Sequence, residues 1–212
     1  MSEDLGAARR CLVEQARYAI SAGVTYIQVR ERDLEAADLA AIVGELVAVS
    51  RGSQTRVLVN DRVDVALACG AAGVHLRGDS APPAAVRRVV GSDFVIGASV
   101  HTLDEAIAVA GSVDYLTAGT IWPSASKEFA AAPLGAAGLA RIAGAVGVPV
   151  LAIGGVTCDR FAEAARAGAA GAAAIGLFIG PAVSDRDACR ATPIAEVVRA
   201  ARAAFDTPGS AS

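Results

Sequence analysis

The residues of this chain that could do chemistry come in short polar clusters, each directly behind an apolar run. In Gln28-Val29-Arg30-Glu31-Arg32-Asp33, period-two alternation puts Gln28, Arg30 and Arg32 on one side. Paired guanidiniums suit a phosphate, because each can donate two parallel hydrogen bonds to its oxygens. The bland alternative is a surface Arg/Glu network, worth little in stability. Asn60-Asp61 follows the apolar stretch ending at Val59. Magnesium takes hard oxygen ligands and keeps phosphate oxygens as co-ligands, so Asp61 suits a magnesium site. Asn and Asp also cap helices well, and the two roles are compatible. In the run Gly73 to Ser80, Asp79 offers a second carboxylate for a metal and Arg77 another anion contact. His75, inside the apolar part of that run, reads as a satisfied core histidine. His101, behind Ser99-Val100, is either a general acid or base working near neutrality or simply the residue entering a helix.

Lys127 is the only lysine among 19 basic residues, and it follows Ser124 and Ser126. A compact ammonium on a flexible stem beside two hydroxyls suits a phosphate or diphosphate. Gly154-Gly155 and Ile175-Gly176 follow the last two apolar runs. Glycine lets backbone N–H groups approach an anion closely, or it makes a tight turn and nothing more. Taken together, two anion sites and one or two carboxylates describe an enzyme with two substrates, at least one phosphorylated, and a metal.

Short β-rich runs alternate with longer Ala-rich amphipathic ones, which implies parallel strands with helical crossovers. The expected strands are Tyr26–Arg30, Arg56–Asn60, Gly73–Leu76, Phe94–Ser99, Tyr115–Gly119, Val148–Ile153 and Ala172–Leu177. The expected helices are Leu34–Val49, Asp64–Cys69, Pro83–Val90, Leu103–Ala110, Ala136–Ala145, Cys158–Ala167 and Ile194–Phe205. The strands are apolar nearly throughout, as where both faces are covered. An open doubly wound sheet and a closed (β/α)8 barrel both satisfy the pattern. In a barrel, the polar clusters behind the strands mark the carboxyl-end face, where active sites sit. Phrases such as Ala22-Gly23 and Ala167-Gly168 suggest helices closed by a left-handed glycine. Seven strands are evident rather than eight. Residues 1–22 read as a helix, with a preceding strand missing or replaced by something irregular near Arg10–Val13.

The 212 residues suggest a single domain over 1–206 with a disordered tail at 207–212. An apolar share of 54% with 19% charged residues excludes a disordered chain. The net charge of -3 and the lack of a basic block argue against nucleic-acid or anionic-membrane binding. The four cysteines (Cys11, Cys69, Cys158, Cys189) are widely spaced and form no C-x-x-C pair. Neither a disulfide framework nor structural zinc is expected, and the cytoplasm fits best. No signal peptide is evident. The uncharged run from Ala167 to Ser184 approaches spanning length, yet Ala and Gly bury too little apolar area to drive insertion. It reads as a buried strand with flanking turns.

The motifs Ile27-Gln28-Val29-Arg30-Glu31-Arg32, Asn60-Asp61-Arg62-Val63-Asp64, Gly73-Val74-His75-Leu76, Ser99-Val100-His101-Thr102, Ser124-Ala125-Ser126-Lys127 and Ala152-Ile153-Gly154-Gly155-Val156 occur in this order. In this the chain resembles the thiamine phosphate synthase/TenI family of (β/α)8 barrels, from about Gly23 to Phe178. The resemblance implies a TIM-type barrel lacking its first strand. It also implies a transferase of thiamine biosynthesis that joins an aminopyrimidine methyl diphosphate to a thiazole phosphate. By resemblance, Gln28 holds the pyrimidine, and Arg30, Arg32, Asn60, Ser99 and Lys127 hold diphosphate. Asp61 binds magnesium, with Asp79 as the candidate second ligand. Ser124 and Ser126 contact the thiazole phosphate, whose phosphate lies on backbone around Gly154, Gly155, Ile175 and Gly176.

The chain departs from the synthase pattern at several positions. Arg32 stands for a usual Lys, Ser80 for the second aspartate (with Asp79 one residue early), and Gly176 for a frequent Ser. The sister branch, TenI, is a thiazole tautomerase that lacks the second aspartate and transfers a proton with a histidine at the His101 position. Synthase is the expected activity, with Arg30, Lys127 and His101 as candidate catalytic groups. The tautomerase is the enzyme alternative, and a catalytically silent ligand-binding barrel is the third reading. A homodimer would be ordinary for such a barrel.

Overall fold

The computed structural model describes residues 3–31, 33–123, 132–178 and 194–206. They form an α/β fold of seven parallel strands with helical crossovers. The chain gathers into two compact units, Met1–His75 with Ile175–Val198 and Leu76–Ala174 with Arg199–Ser212. The expected tail at 207–212 lies outside the described residues.

The first unit opens with α1 (Glu3–Ala22), followed by β1 (Tyr26–Val29), α2 (Ala36–Ser50), β2 (Arg56–Asn60), α3 (Val63–Ala68) and β3 (Gly73–Leu76). Helix α1 passes unbroken through Arg10–Val13, so the irregular strand considered there is helix instead. Strand β1 pairs with β2 in the register Gln28↔Leu58 and Val29↔Val59. Strand β2 pairs with β3 as Val59↔Val74 and Asn60↔His75. Helix α2 buries Leu39, Ile42, Val43 and Leu46, spaced i, i+3, i+4 and i+7. Each such side chain contributes roughly 1.5–3 kcal/mol on burial.

The second unit holds α4 (Pro83–Val90), β4 (Val95–Val100), α5 (Leu103–Ala110), β5 (Tyr115–Gly119), α6 (Gly135–Ala145), β6 (Val150–Ile153), α7 (Phe161–Arg166) and β7 (Gly171–Ala173). A 3-10 turn at Cys158–Arg160 leads into α7. The last helix, α8, is Ile194–Phe205. Strands β4 to β7 pair in parallel and in chain order, so their carboxyl ends share one edge. Strand β7 is shorter than expected. The Gly/Ala run lacks the β-branched side chains that pack a strand, and the chain turns where Phe178 N–H reaches the Ile175 carbonyl at 3.0 Å. Gly23, Gly70 and Gly168 close α1, α3 and α7 with φ of 81°, 65° and 84°, the left-handed endings expected of them. No helix among the described residues is long and apolar enough to cross a membrane.

Candidate active site

At the end of β1, Val29 is buried while Gln28 and Arg30 are exposed on the opposite face. The Gln28 Nε2 donates to Asn60 Oδ1 at 3.2 Å, so parallel pairing of β1 with β2 joins two of the expected site residues. Behind Asn60 the backbone reverses sharply. Arg62 N–H donates to the Asn60 carbonyl at 2.7 Å, across Asp61 with φ 63°. This is a three-residue turn of a strained type, and Asp61 is the one non-glycine of positive φ among the described residues. Asp61 N–H is meanwhile held by the His75 carbonyl at 2.9 Å.

The helix-cap alternative for this pair is not realised. Arg62 occupies the cap of α3, and no side chain bonds there. Instead Arg62 forms a two-pronged pair with Asp64, at 2.9 and 2.6 Å. That contact holds the Asp64 carboxyl below its ordinary range. His75 is a core residue, as expected, only 4% exposed. Burial, with the Arg30 charge adding, lowers its pKa to about 4, so its ring is neutral at physiological pH.

On the second unit, Ser99 and the buried Thr117 are register partners and share a hydrogen bond of 3.2 Å. His101 follows β4. Its Nδ1 bonds the Gly119 carbonyl and its backbone N–H donates to Glu105 Oε2 at 2.6 Å. A carbonyl only accepts, so Nδ1 is the donor and Nε2 is the ring nitrogen left to exchange a proton. Thr102 caps α5 by accepting from Glu105 N–H at 3.2 Å, so His101 is also the helix-entry residue that the alternative reading described. Asp79 faces a cation of its own, with Arg77 Nη2 lying 2.5 Å from Oδ2. Ser80 is occupied as well, its hydroxyl accepting the Arg77 backbone N–H at 2.8 Å.

Behind β5 and β6, two loops interlock. Ile121 N–H donates to the Ile153 carbonyl at 3.0 Å and Trp122 N–H to the Gly154 carbonyl at 3.1 Å. Gly154 and Gly155 have φ of 90° and 62°. A Cβ on Gly155 would lie 2.6 Å from the carbonyl oxygens of both Trp122 and Pro123. Only glycine fits there. Ile175 is exposed and Gly176 has open space around it. Arg32, Ser124, Ser126 and Lys127 lie outside the described residues. Thr117 and Glu105 were missed from the sequence. The signal for Thr117 was a single hydroxyl inside the otherwise apolar Tyr115–Gly119 run. Cys69 and Cys158 are free thiols.

Asp61 fits a magnesium ion by donor type and by its fixed backbone. Asp79 fits poorly, since Arg77 already neutralises it. Among the described residues no three His, Cys, Asp or Glu side chains gather as a metal cage.

The sequence signature described as thiamine monophosphate synthase matches residues 2–178. The chain belongs to that family. It is 43% identical over 193 residues to a thiamine-phosphate synthase of Anaeromyxobacter dehalogenans, covering 91% of this chain and 86% of that one. A thiamine-phosphate synthase of a Roseiflexus species is 39% identical over 175 residues, covering 82% of this chain and 74% of that one. Among solved structures, the thiamine phosphate pyrophosphorylase of Pyrococcus furiosus superposes with a TM-score of 0.73 at 32% identity. That match covers 88% of this chain and 89% of the other. The likeness puts the chain in the TIM-type α/β class that the family resemblance implied, one of the two that its strand–helix alternation left open.

Proposed function

We propose that this protein is a thiamine phosphate synthase, which couples aminopyrimidine methyl diphosphate to thiazole phosphate and releases diphosphate. The observation that carries the reading is the Gln28–Asn60 contact at the ends of β1 and β2, with Arg30 two residues beyond Gln28 and Asp61 next to Asn60. It sets a neutral amide suited to a heteroaromatic edge beside a guanidinium and a carboxylate suited to diphosphate and magnesium. The chain's relatives bear this same activity as their name.

In the reaction the methylene C–O bond of the pyrimidine diphosphate breaks, and its electron pair leaves with diphosphate. The thiazole nitrogen then donates its lone pair to the pyrimidine methylene, forming the C–N bond. The work asked of the protein is electrostatic stabilisation of the departing diphosphate. Gln28 orients the pyrimidine, its amide held by Asn60. Arg30 and Arg32 take diphosphate oxygens, and Ser99 and Lys127 have the same role by resemblance. Magnesium, with Asp61 as its protein ligand, supplies further charge neutralisation of the diphosphate when bound. Ser124, Ser126 and backbone around Gly154, Gly155, Ile175 and Gly176 serve the thiazole phosphate. We also assign the protein to the cytoplasm, where phosphorylated intermediates are retained, and take it to be a homodimer, which sedimentation equilibrium tests.

A second reading, thiazole tautomerase, is favoured by one observation. The Nδ1 bond of His101 leaves Nε2 able to accept a proton. Incubating both substrates with magnesium separates the readings. Synthase activity yields thiamine phosphate and diphosphate, is abolished by Lys127→Ala and survives His101→Ala. Isomerised thiazole phosphate without coupling, lost in His101→Ala, would establish the tautomerase. Retained ligand binding with neither product would leave a silent barrel.

A further inference from the structure

Arg160 ends the 3-10 turn behind the glycine pair and reaches back over it. Its Nη1 donates to the Gly155 carbonyl at 2.5 Å. Its guanidinium carbon lies 5.3 Å from the centroid of the Trp122 ring, within cation–π range. Trp122 itself is buried. Both partners of Arg160 therefore belong to the interlocked loops behind β5 and β6, and Ser124 follows Pro123 directly in the chain.

A trans peptide points its C=O and N–H in opposite directions. The peptides from Ile153 to Val156 are trans. With the Gly154 carbonyl held by Trp122 N–H, the Gly155 N–H is turned away from that loop. With the Gly155 carbonyl held by Arg160, the Val156 N–H is turned away from the guanidinium. Glycine at 154 and 155 makes this backbone reachable by an anion but also loose, since it has the widest conformational choice of any residue. Something outside the glycine pair must hold it still. Trp122 does so for one peptide and Arg160 for the next.

We propose that Arg160 is a positioning residue for the thiazole phosphate. It pins the Gly155 carbonyl and the Trp122 ring together, so that the Gly155–Val156 backbone presents its N–H groups to the phosphate. This rests on the synthase reading of the Gly154-Gly155 turn. A positively charged side chain this close also adds favourable potential for the dianion, but the planar fork is what both holds a carbonyl and lies on a ring.

The test compares wild type with Arg160→Gln and Arg160→Lys, by calorimetric titration with thiazole phosphate and by steady-state coupling kinetics. Thermal melting checks that each variant is folded. Arg160→Gln should weaken thiazole phosphate binding and raise its KM by about tenfold, the scale of one charge-assisted hydrogen bond. The KM for the pyrimidine diphosphate should stay within about twofold of wild type, since Gln28 and Arg30 are untouched. Arg160→Lys should recover part of the loss, because an ammonium can reach a carbonyl but cannot lie flat on the ring. Equal thiazole phosphate affinity in all three proteins would overturn the proposal. So would a loss spread evenly over both substrates, which marks a merely structural role. Failure of the synthase reading shows differently, as a wild-type protein that neither couples the substrates nor binds thiazole phosphate.

Discussion

Asp79 lies within 2.5 Å of the Arg77 guanidinium, so a cation arriving there must first compete with a charge already in place. Asp61 is distinguished by its main chain. Its backbone is bent into a left-handed turn that its own N–H, bonded to the His75 carbonyl, helps to fix. Asn tolerates the same backbone region as Asp, so Asp61→Asn removes the charge without relaxing the turn. That variant should lose at least about tenfold in magnesium-dependent coupling, whereas Asp79→Asn should stay within about threefold. Magnesium titrations of initial rate distinguish the two, and an equal loss in both would restore Asp79 as a ligand. Gly176 offers a gentler probe. A Cβ there meets nothing within 4 Å, and its φ is not in the left-handed range. Gly176→Ser should therefore change stability by no more than about 0.5 kcal/mol in chemical denaturation. If the backbone there does lie on the thiazole phosphate, the added hydroxyl should lower its KM rather than raise it.

Pairing between elements carries site residues that their own strands cannot place. Gly97 of β4 stands opposite Tyr115 of β5, and a Cβ on Gly97 would lie 2.1 Å from the Tyr115 ring carbon Cζ. The ring is buried and has little room to retreat. Gly97→Ala should cost about 1–3 kcal/mol of unfolding free energy as overpacking. Because Ser99 and Thr117 sit two residues further along the same ladder, urea melts of this variant should be accompanied by a weaker coupling rate. The strand–helix alternation itself was legible because it depends on short repeats. The periods of two and of 3.6 residues are properties of one segment at a time. Pro83–Val90, Leu103–Ala110 and Ile194–Phe205 match their expected bounds for that reason. The exceptions are informative. Strand β7 ends early in a glycine-alanine run with weak strand preference, and the segment Cys158–Ala167 divides into a 3-10 turn and a six-residue helix.

At the scale of the whole molecule, buried His75 ties folding to pH. Its folded pKa of about 4 lies below the ordinary 6.5, because burial disfavours the charged ring and Arg30 repels it further. Between these values the unfolded chain binds more protons than the folded one. The contribution of neutral His75 is thus fully present above pH 6.5 and is lost as pH falls toward 4. The loss is roughly 3 kcal/mol, an order-of-magnitude figure. Melting curves recorded from pH 8 to pH 4 without divalent cations should show this slope, and His75→Gln should flatten it. An unchanged slope in the variant would assign the pH dependence to other groups.

The sequence by itself determined the α/β alternation, the position of each polar cluster behind a strand, the left-handed glycines and the burial of His75. All of these follow from local period, turn chemistry and the cost of burying charge. Only the tertiary structure decided that Gln28 meets Asn60, that Asp61 sits in a strained turn while Asp79 is spent on Arg77, and that Arg160 bridges Gly155 and Trp122. Contacts across 32 or 38 residues depend on the register of paired strands and on where loops cross. Neither quantity has a signature in the order of residues along one chain segment.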